Sequence, residues 1–445
     1  MWRYEIMKIT HLQSSTQLIE MGNIKILTDP WLTDGEYYGS WYHYPPFGDE
    51  NIATLQYDYI YVSHIHPDHL SEKTLKKLPL KKPIIIHKYE AKFLKRKIES
   101  LGFEVIECDN AAPLVFENGG AITIYAADNC NPALCGKFFG CGSLESRFGS
   151  TQIDTLALFE YDDKLILNTN DCPVELASHT IRAHGLQTRP IDLLLVGYTG
   201  AGPYPQCFEF ESQGDLLQAA REKEHLFLQN ALKFIELVQP KAFAPFAGTY
   251  ILGSNLSHLN DIRGVPNVAD ASKYLNRMTS TETHGLCLSK FSKYDLLTQQ
   301  LSNDQSTYHV GYEDYVKMIS AKKLDYDDDS WDDAELLHFA HSAYKRFKEK
   351  AEEIRFQSKT KIVVKTKKIA FSFSSSSGID VIDQSENLPE PYVEVELSHN
   401  LLHRLLRGPR FAHWNNAEIG SHLRYSRRPD IFERGLYHCM CFFHE

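Results

Sequence analysis

The stretch from His64 to His69, which reads His-Ile-His-Pro-Asp-His, constrains this chain more than any other segment. It places three imidazoles and one carboxylate directly after the strand-like segment Tyr57–Val62, which is largely apolar and aromatic. In an extended or tightly turning loop, His64 and His66 point to one side. Asp68 and His69 then face a neighbouring position about one metal–metal spacing away, ~3.5–4 Å in two-metal hydrolytic sites. The sequence therefore predicts a loop that feeds one or two metal ions.

The residue types of this loop also predict a chemistry. Neutral imidazole and carboxylate suit zinc, iron or manganese, and an open metal site binds a water whose pKa falls toward ~7. The alternative is a solvated histidine-rich loop, but Pro67-Asp68 and the preceding apolar strand favour a metal site. We expect Asp68 to orient the attacking water, and we count His66 with it as catalytic.

Composition and charge limit the domain organisation and the class of binding partner. The chain has 445 residues and is 43% hydrophobic, which predicts a main domain at residues 1–300 and a smaller extension at 301–445. The formal charge is −11, from 47 basic and 58 acidic residues. Dedicated nucleic-acid binding is therefore not expected, because affinity for the phosphate backbone comes mainly from Lys and Arg.

Location is predicted from apolar runs and cysteines. No apolar run of ~18 residues occurs, so no membrane span is expected. Met1–Glu5 does not resemble the start of a signal peptide. Nine scattered cysteines suit a reducing compartment, so the expected location is cytoplasmic.

The His64–His69 run after a strand resembles the signature of the metallo-β-lactamase fold. That resemblance implies an α/β (α+β) fold class, an αββα sandwich of two mixed sheets between helices, here with a C-terminal α+β extension. Three further segments are similar to the CMP-N-acetylneuraminate hydroxylase branch of that superfamily: 26–32, 166–172 and 245–248. The C-terminal segments 419–420 and 428–431 are similar to that branch as well.

That branch also carries an N-terminal Rieske iron–sulfur domain, with ligands in the pattern C-x-H and then C-x-x-H. Cys441 to His444 reads C-x-x-H, but no C-x-H occurs in this chain. Oxygenation by this polypeptide alone is therefore not expected, and a separate redox partner would be needed.

The resemblance also implies further metal ligands. It makes Asp171, just past a predicted strand, a ligand that bridges two metals, whereas the local pattern before Pro173 also fits a turn or a helix cap. The fold expects another histidine before that aspartate, but none lies between His87 and His179. Asp128 is the candidate replacement, with Cys130 next, and a carboxylate there favours iron or manganese. The alternative is that one metal position is weak or vacant. His258 is the candidate last imidazole, with a surface histidine as the alternative.

A glycine-rich turn at 197–203 follows the predicted strand Asp192–Val196. Such turns bring backbone amides close to a ligand and form anion nests. Tyr198, Gly200 and Gly202 are therefore candidate substrate contacts for a phosphate or carboxylate, with an empty tight turn as the alternative.

The pattern of apolar residues predicts several elements. Gln213–Val238 reads as a long amphipathic helix that ends before Pro240. The aromatic segment Trp31–Phe47 either lines the substrate or packs over the sheet edge. The extension reads as a helix at 334–355, strands at 361–366, 369–373 and 392–397, and a helix at 398–406.

Six arginines make the C-terminal end basic: Arg404, Arg407, Arg410, Arg424, Arg427 and Arg428. They either hold a nucleotide or phosphate or pair with the acidic stretch 325–333, and the pairing is favoured.

Three functions remain open from the sequence. The first is a metal-dependent hydrolase, in which a hydroxide on one or two divalent ions (Zn, Fe or Mn) attacks an ester, lactone or phosphoester of a small anionic, sugar-nucleotide-like substrate. The second is a di-iron oxygenase component that works with a separate Rieske partner. The third is a non-catalytic partner protein with a degenerate metal site. We expect the hydrolase.

Overall fold

The computed structural model describes residues 6–89, 92–127, 154–279, 282–303, 308–384 and 388–445. The strands in this part of the chain, numbered in chain order, are β1 (Met7–Gln13), β2 (Thr16–Met21), β3 (Ile24–Thr28), β4 (Trp41–Tyr42), β5 (Tyr59–Tyr61), β6 (Ile84–His87), β7 (Val105–Cys108), β8 (Pro113–Val115), β9 (Ala121–Ala126), β10 (Thr155–Tyr161), β11 (Lys164–Asn168), β12 (Leu193–Gly197), β13 (Ala242–Phe246), β14 (Ile251–Leu252), β15 (His284–Gly285), β16 (Lys293–Asp295), β17 (Gln300–Ser302), β18 (Lys361–Lys365), β19 (Ala370–Phe373), β20 (Asp380–Ile382), β21 (Tyr392–Glu396) and β22 (Arg424–Arg428).

The α-helices in the same ranges are α1 (Glu36–Gly39), α2 (Asp49–Ala53), α3 (Glu72–Lys77), α4 (Phe93–Ser100), α5 (Val174–Ala183), α6 (Gln213–Val238), α7 (Val268–Met278), α8 (Tyr312–Ser320), α9 (Leu336–Glu353), α10 (His399–Leu406), α11 (Trp414–Ile419) and α12 (Arg434–Met440). Short 3-10 segments lie at Leu186–Thr188, Ser254–Ile262 and Asp333–Glu335. No helix among the described residues is both long and apolar enough to cross a membrane.

Two mixed sheets form the centre of the molecule. The first has the strand order β17-β16-β1-β2-β3-β5-β6-β7, and the second has the order β15-β13-β12-β11-β10-β9-β8. Strands β3, β5, β6 and β7 are parallel neighbours in the first sheet. Strands β11, β12, β13 and β15 are parallel neighbours in the second.

The layers follow from where the apolar side chains lie. Buried residues such as Ile26 and Tyr61 of the first sheet pack against Ile124 and Phe159 of the second, which closes the space between the sheets. A second core lies between the first sheet and helices α3 and α4. A third lies between the second sheet and α5, α6 and α7. Helices therefore cover both outer faces, which confirms the predicted αββα sandwich.

The C-terminal part forms a third sheet in the order β20-β19-β18-β21-β22. Its apolar residues join one core cluster that runs from Trp31 to Phe443. That cluster includes Tyr37 and Trp41 of the aromatic segment together with residues of α9, α10 and α12. The aromatic segment was predicted either to line the substrate or to pack over the sheet edge. Trp31, Tyr37 and Trp41 of this segment are packed in the core. The domain division at residue 300 stays a prediction.

Candidate metal centre

The histidine-rich loop lies between β5 and α3, at one end of the parallel strands. Asp29 directly follows β3, and Asp171 lies a few residues past the end of β11. Ligands in open α/β sheets bind outside the carboxyl ends of parallel strands. The strand order therefore brings residues that are far apart in the chain to one edge of the sandwich.

Three histidines and one carboxylate converge there. His64 Nε2 lies 2.9 Å from His66 Nδ1, and the rings of His64 and His69 are 4.2 Å apart between centroids. One potential ligand atom from each of His64, His69 and Asp171 lies within 4.8 Å of the other two. A divalent cation with bonds of ~2.0–2.2 Å can reach several of these atoms after small side-chain adjustments.

Asp29 fixes the orientation of His69. Its Oδ2 lies 2.8 Å from His69 Nδ1, and its two oxygens accept hydrogen bonds from the backbone N–H and the hydroxyl of Ser63, at 2.7 and 2.8 Å. His69 Nδ1–H therefore donates to Asp29, which directs Nε2 toward the centre. That Nε2 is buried without a well-formed hydrogen bond, 3.3 Å from Asp171 Oδ2 and 3.6 Å from Asp68 Oδ2. A metal ion would satisfy this buried nitrogen.

Three carboxylates, of Asp154, Asp68 and Asp171, lie close together beside these histidines. Asp154, directly before β10, has its Oδ1 3.2 Å from His64 Nδ1 and makes no hydrogen bond through that oxygen. Burial raises the pKa of Asp154 well above its ordinary value, and the Asp171 carboxylate raises it further. Burial also raises the pKa of Asp68, which again faces Asp171. Because a bound cation stabilises carboxylates that otherwise repel each other, this donor set fits one or two divalent metal ions.

The protonation of the imidazoles agrees with this fit. Burial, with His69 and His66 nearby, holds the pKa of His64 well below its usual value, so His64 is neutral, the form that binds metals. Burial by itself lowers the pKa of His69, but the carboxylates of Asp171, Asp29 and Asp68 outweigh it and raise that pKa well above the usual range. Metal binding at His69 would therefore release a proton.

Asp68 and His66, the other two polar residues of the histidine loop, are held by Tyr37 and Asn415 from outside the loop. The hydroxyl of Tyr37 donates a hydrogen bond to Asp68 Oδ1, and burial with the nearby Asp68 raises the pKa of Tyr37, so it stays protonated. Asn415 Oδ1 lies 3.2 Å from His66 Nε2 across 349 residues of sequence. His422 Nε2 lies 2.7 Å from the carbonyl oxygen of Tyr37. The C-terminal extension therefore supports the loop on both sides.

The structure thus brings together five of the predicted ligands: His64, His66, Asp68, His69 and Asp171. The side chain of Asp171 is 35% exposed, so the site is open to solvent there. Asp128 and Cys130 lie outside the described residues. His258 is not part of the cluster: it is exposed in the Ser254–Ile262 segment, with Nδ1 2.8 Å from Asn255 O and Nε2 3.1 Å from Arg424. Its role as a ligand stays a prediction.

The predicted substrate contacts lie on the turn after β12. Tyr198 is fully buried. A Cβ on Gly200 would lie 2.0 Å from the ring of Phe227, so helix packing explains that glycine without any ligand. Gly202 has a φ of +149°, which disfavours other residues. The substrate contact at these three residues also stays a prediction.

Sequence reasoning missed four residues of the centre: Asp29, Asp154, Tyr37 and Asn415. Asp29 carried a usable signal, because it directly follows a strand and precedes a proline, in the sheet that leads to the histidine loop. Asn415 carried none, since nothing in its local sequence indicates a contact with His66.

Comparison with known proteins agrees with this architecture. A family model described as a β-lactamase superfamily domain matches residues 8–129. The chain is 25% identical over 257 residues to the cytidine monophosphate-N-acetylneuraminic acid hydroxylase of Danio rerio, a match that covers 54% of this chain and 38% of that protein. The hydroxylase of Asterias rubens is 25% identical over 278 residues, covering 59% of this chain and 38% of that protein. The chain therefore spans less than half the length of these relatives.

Among solved structures, the isothiocyanate hydrolase from Delia radicum gut bacteria is similar with a TM-score of 0.43 and 13% identity, covering 65% of this chain and 99% of that one. Together, the matched superfamily domain, the αββα layers and the position of the histidine loop show that the chain is a metallo-β-lactamase-fold protein.

Proposed function

We propose that the protein is a metal-dependent hydrolase that cleaves an ester, lactone or phosphoester bond of a small anionic substrate. The observation that carries the proposal is the convergence of His64, His69 and Asp171 within 4.8 Å at an opening in the sandwich. Two further carboxylates, of Asp29 and Asp68, lie close enough to raise the pKa of His69, and Asp171 in turn raises the pKa of a third, Asp154.

The residues have distinct roles in this proposal. His64, His66, His69 and Asp171 hold one or two divalent ions, of zinc, iron or manganese. When bound, such ions lower the pKa of water toward ~7 and polarise the bond to be cleaved. Asp68 orients the water and accepts its proton, since Tyr37 holds one carboxylate oxygen and leaves the other facing the centre. Asp29 and Asn415 keep the ring nitrogens of His69 and His66 correctly directed.

The substrate class rests on the relatives and on charge. The two hydroxylases are named for a sugar nucleotide, cytidine monophosphate-N-acetylneuraminic acid. A sugar-nucleotide-like anion is therefore the first class to test, and a divalent centre would attract its negative charge. We also place the protein in the cytoplasm, because nine cysteines scattered along the chain suit a reducing compartment.

A second function, a di-iron oxygenase component, is favoured by one observation. The matched relatives are hydroxylases by name, and the centre is rich in carboxylates, which suit iron better than an all-histidine site does. This chain would then need electrons from a separate redox partner.

The test is metal analysis combined with a substrate screen. Protein purified without chelators is analysed for zinc, manganese and iron, and is then assayed against phosphodiesters, lactones and esters. We expect bound metal and hydrolysis in the wild type, and loss of hydrolysis in Asp68→Asn. The control is His179→Ala, which removes an exposed histidine of α5.

The outcomes separate the two functions. Zinc or manganese with hydrolysis supports the hydrolase. Iron with visible absorption and no hydrolysis supports the oxygenase instead. A metal-free protein whose metal content cannot be restored by added ions would contradict both.

A further inference from the structure

Helix α10 in the C-terminal part of the chain carries two histidines on one face. His399 and His403 are four residues apart, and side chains at this spacing lie next to each other on an α-helix. Their ring centroids are 5.0 Å apart. This is the spacing at which the two histidines of an H-E-x-x-H helix bind one zinc ion.

Asp333 contacts both histidines with the same oxygen atom. It begins the 3-10 segment that precedes α9, so it reaches α10 from another element. Its Oδ1 lies 2.7 Å from His399 Nε2 and 3.4 Å from His403 Nε2. One ligand atom from each of the three residues lies within 4.8 Å of the other two. In a tetrahedral zinc site with bonds of ~2.0–2.1 Å, neighbouring ligand atoms are ~3.3 Å apart, so small side-chain adjustments would admit an ion.

The contacts of the two rings leave their Nε2 atoms directed at Asp333. The hydroxyl of Thr366 lies 3.1 Å from His399 Nδ1, and a partner on that nitrogen orients a metal-binding histidine. His403 is fully buried, and its Nδ1 has no hydrogen-bond partner among the described residues. The long contact of its Nε2 with Asp333 is therefore the only hydrogen bond of this ring within the described ranges. A bond from Nε2 to a metal ion would compensate the burial of His403 better than that contact does.

The neighbouring cations bind other oxygen atoms. Lys368 Nζ lies 2.9 Å from Asp333 Oδ2, which leaves Oδ1 for the two imidazoles. The arginines of α10 pair with other carboxylates, Arg404 with Asp329 and Arg407 with Glu335. The ion pair with Lys368 thus accounts for one oxygen of Asp333 but not for the convergence of two imidazoles on the other. Without a metal, both imidazoles would have to donate a hydrogen bond to Oδ1.

The three side chains lead from solvent into the protein. The side chain of Asp333 is 51% exposed, that of His399 is 11% exposed and that of His403 is buried. An ion can therefore enter past Asp333. Because the protein supplies three ligands, a fourth position of a tetrahedral ion would hold water.

We propose that Asp333, His399 and His403 form a second metal site, the extension site, which binds a divalent ion of the zinc class. Two imidazoles with one carboxylate suit zinc, whereas calcium and magnesium prefer all-oxygen sites. The ion would join α10 to the segment before α9, and both helices belong to the core cluster that contains Trp31. None of the three residues lies in the histidine loop, so the extension site does not depend on the proposed hydrolase function.

The test measures zinc binding to the full-length chain with the first centre disabled. In the double variant His64→Ala, His69→Ala, competition with a chromophoric chelator near neutral pH should still detect zinc bound at the extension site. Adding Asp333→Asn or His399→Ala should weaken this binding by more than the ~10–100-fold that the loss of a ligand's hydrogen-bond partner costs, because a ligand itself is lost. Adding His341→Ala, which removes an exposed histidine of α9, should leave the zinc affinity unchanged.

A second measurement uses the wild type alone. Anomalous diffraction at the zinc edge, from crystals grown with a few equivalents of zinc, should show a peak within bonding distance of His399 Nε2 and His403 Nε2. A peak at the histidine loop without one at α10 would overturn the extension site. Equal zinc affinity with and without Asp333→Asn and His399→Ala would overturn it too, and would leave Asp333 as a hydrogen-bond acceptor for the two histidines. Zinc binding that disappears completely in the double variant would also contradict the proposal. The outcome of the hydrolysis screen does not affect these results.

Discussion

At the scale of single residues, two histidines of the centre, His69 and His66, are each held through the ring nitrogen that faces away from it. Asp29 binds His69 Nδ1 at 2.8 Å, and Asn415 Oδ1 lies 3.2 Å from His66 Nε2. Partners of this kind set the tautomer of a metal-binding histidine, and their loss typically costs ~10–100-fold in metal affinity.

Asn415→Leu should therefore weaken metal binding about tenfold or more, because His66 loses the acceptor that keeps its Nδ1 free for the metal. Competition with a chromophoric chelator measures this affinity directly. The matched control is Asn416→Leu, the next residue in α11, which should bind metal like the wild type. Equal losses in both variants would mean that α11 contributes only by packing.

Glu36 predicts a pH dependence. It is 8% exposed, and the hydroxyl of Ser71 donates to its Oε1 at 2.5 Å. Burial is the main cause that raises the pKa of Glu36 from 4.5 to about 7. The folded protein thus retains a proton that the unfolded chain releases, so the free energy of unfolding falls as the pH rises from about 4.5 to about 7. Above about pH 7 the ionisation of Glu36 lowers the free energy of unfolding by its full amount, roughly 3 kcal/mol.

Glu36→Gln removes this ionisation and keeps an oxygen acceptor for Ser71. The variant should be more stable than the wild type by up to about 3 kcal/mol above about pH 7 and nearly equal to it below about pH 4.5. Urea unfolding at several pH values gives the difference. A constant difference at every pH would show that Glu36 does not titrate as proposed.

At the scale of elements, the helices and strands that could be predicted from the sequence are those that are long enough to show a regular pattern of apolar residues. The predicted bounds Gln213–Val238 match α6, because the apolar stripe spans the whole element, Ser212 caps its start and Pro240 follows its end. Three strands of the C-terminal sheet, β18, β19 and β21, were predicted to within one residue, whereas β20 and β22 of the same sheet were not predicted. The two-residue strands β4 and β14 pair with each other in a small sheet of their own, and no local pattern marks a pair of that length.

The same limit applies to the site. The histidine loop is visible in the sequence because its ligands are consecutive. Asp154 and Asn415 reach the loop only through the arrangement of strands and of the C-terminal helices, which no periodic pattern encodes.

The aromatic segment after β3 supplies an element-scale prediction. Trp41 is 1% exposed and packs between Tyr37 and Tyr250. Trp41→Ala should lower the free energy of unfolding by about 3–5 kcal/mol, since it opens a cavity in a fully packed aromatic stack. Denaturant titration measures the loss. Phe93→Ala removes an aromatic ring that is 60% exposed and should cost far less. Similar losses in the two variants would contradict the packing role of the stack.

At the scale of the whole molecule, the predicted extension and the sandwich share one core. The cluster that contains Trp31 and Tyr37 also contains Phe347, Leu402 and Phe443. Removing the extension would expose this apolar surface and also remove Asn415 and His422. The sequence indicated where the composition changes, but a change in composition does not report whether two parts fold separately.

A chain that ends at Asn303 tests this dependence. We expect it to lose cooperative unfolding, to bind a hydrophobic dye and to hold metal more weakly than the wild type, because the support of both His66 and Tyr37 is gone. Urea unfolding, dye fluorescence and metal analysis measure the three effects. Co-expression with a second chain that begins at residue 304 should restore metal binding, since the shared core can re-form between the fragments. Cooperative unfolding with wild-type metal affinity in the truncated chain alone would show instead that residues 1–303 form an independent domain and that the extension is dispensable for the centre.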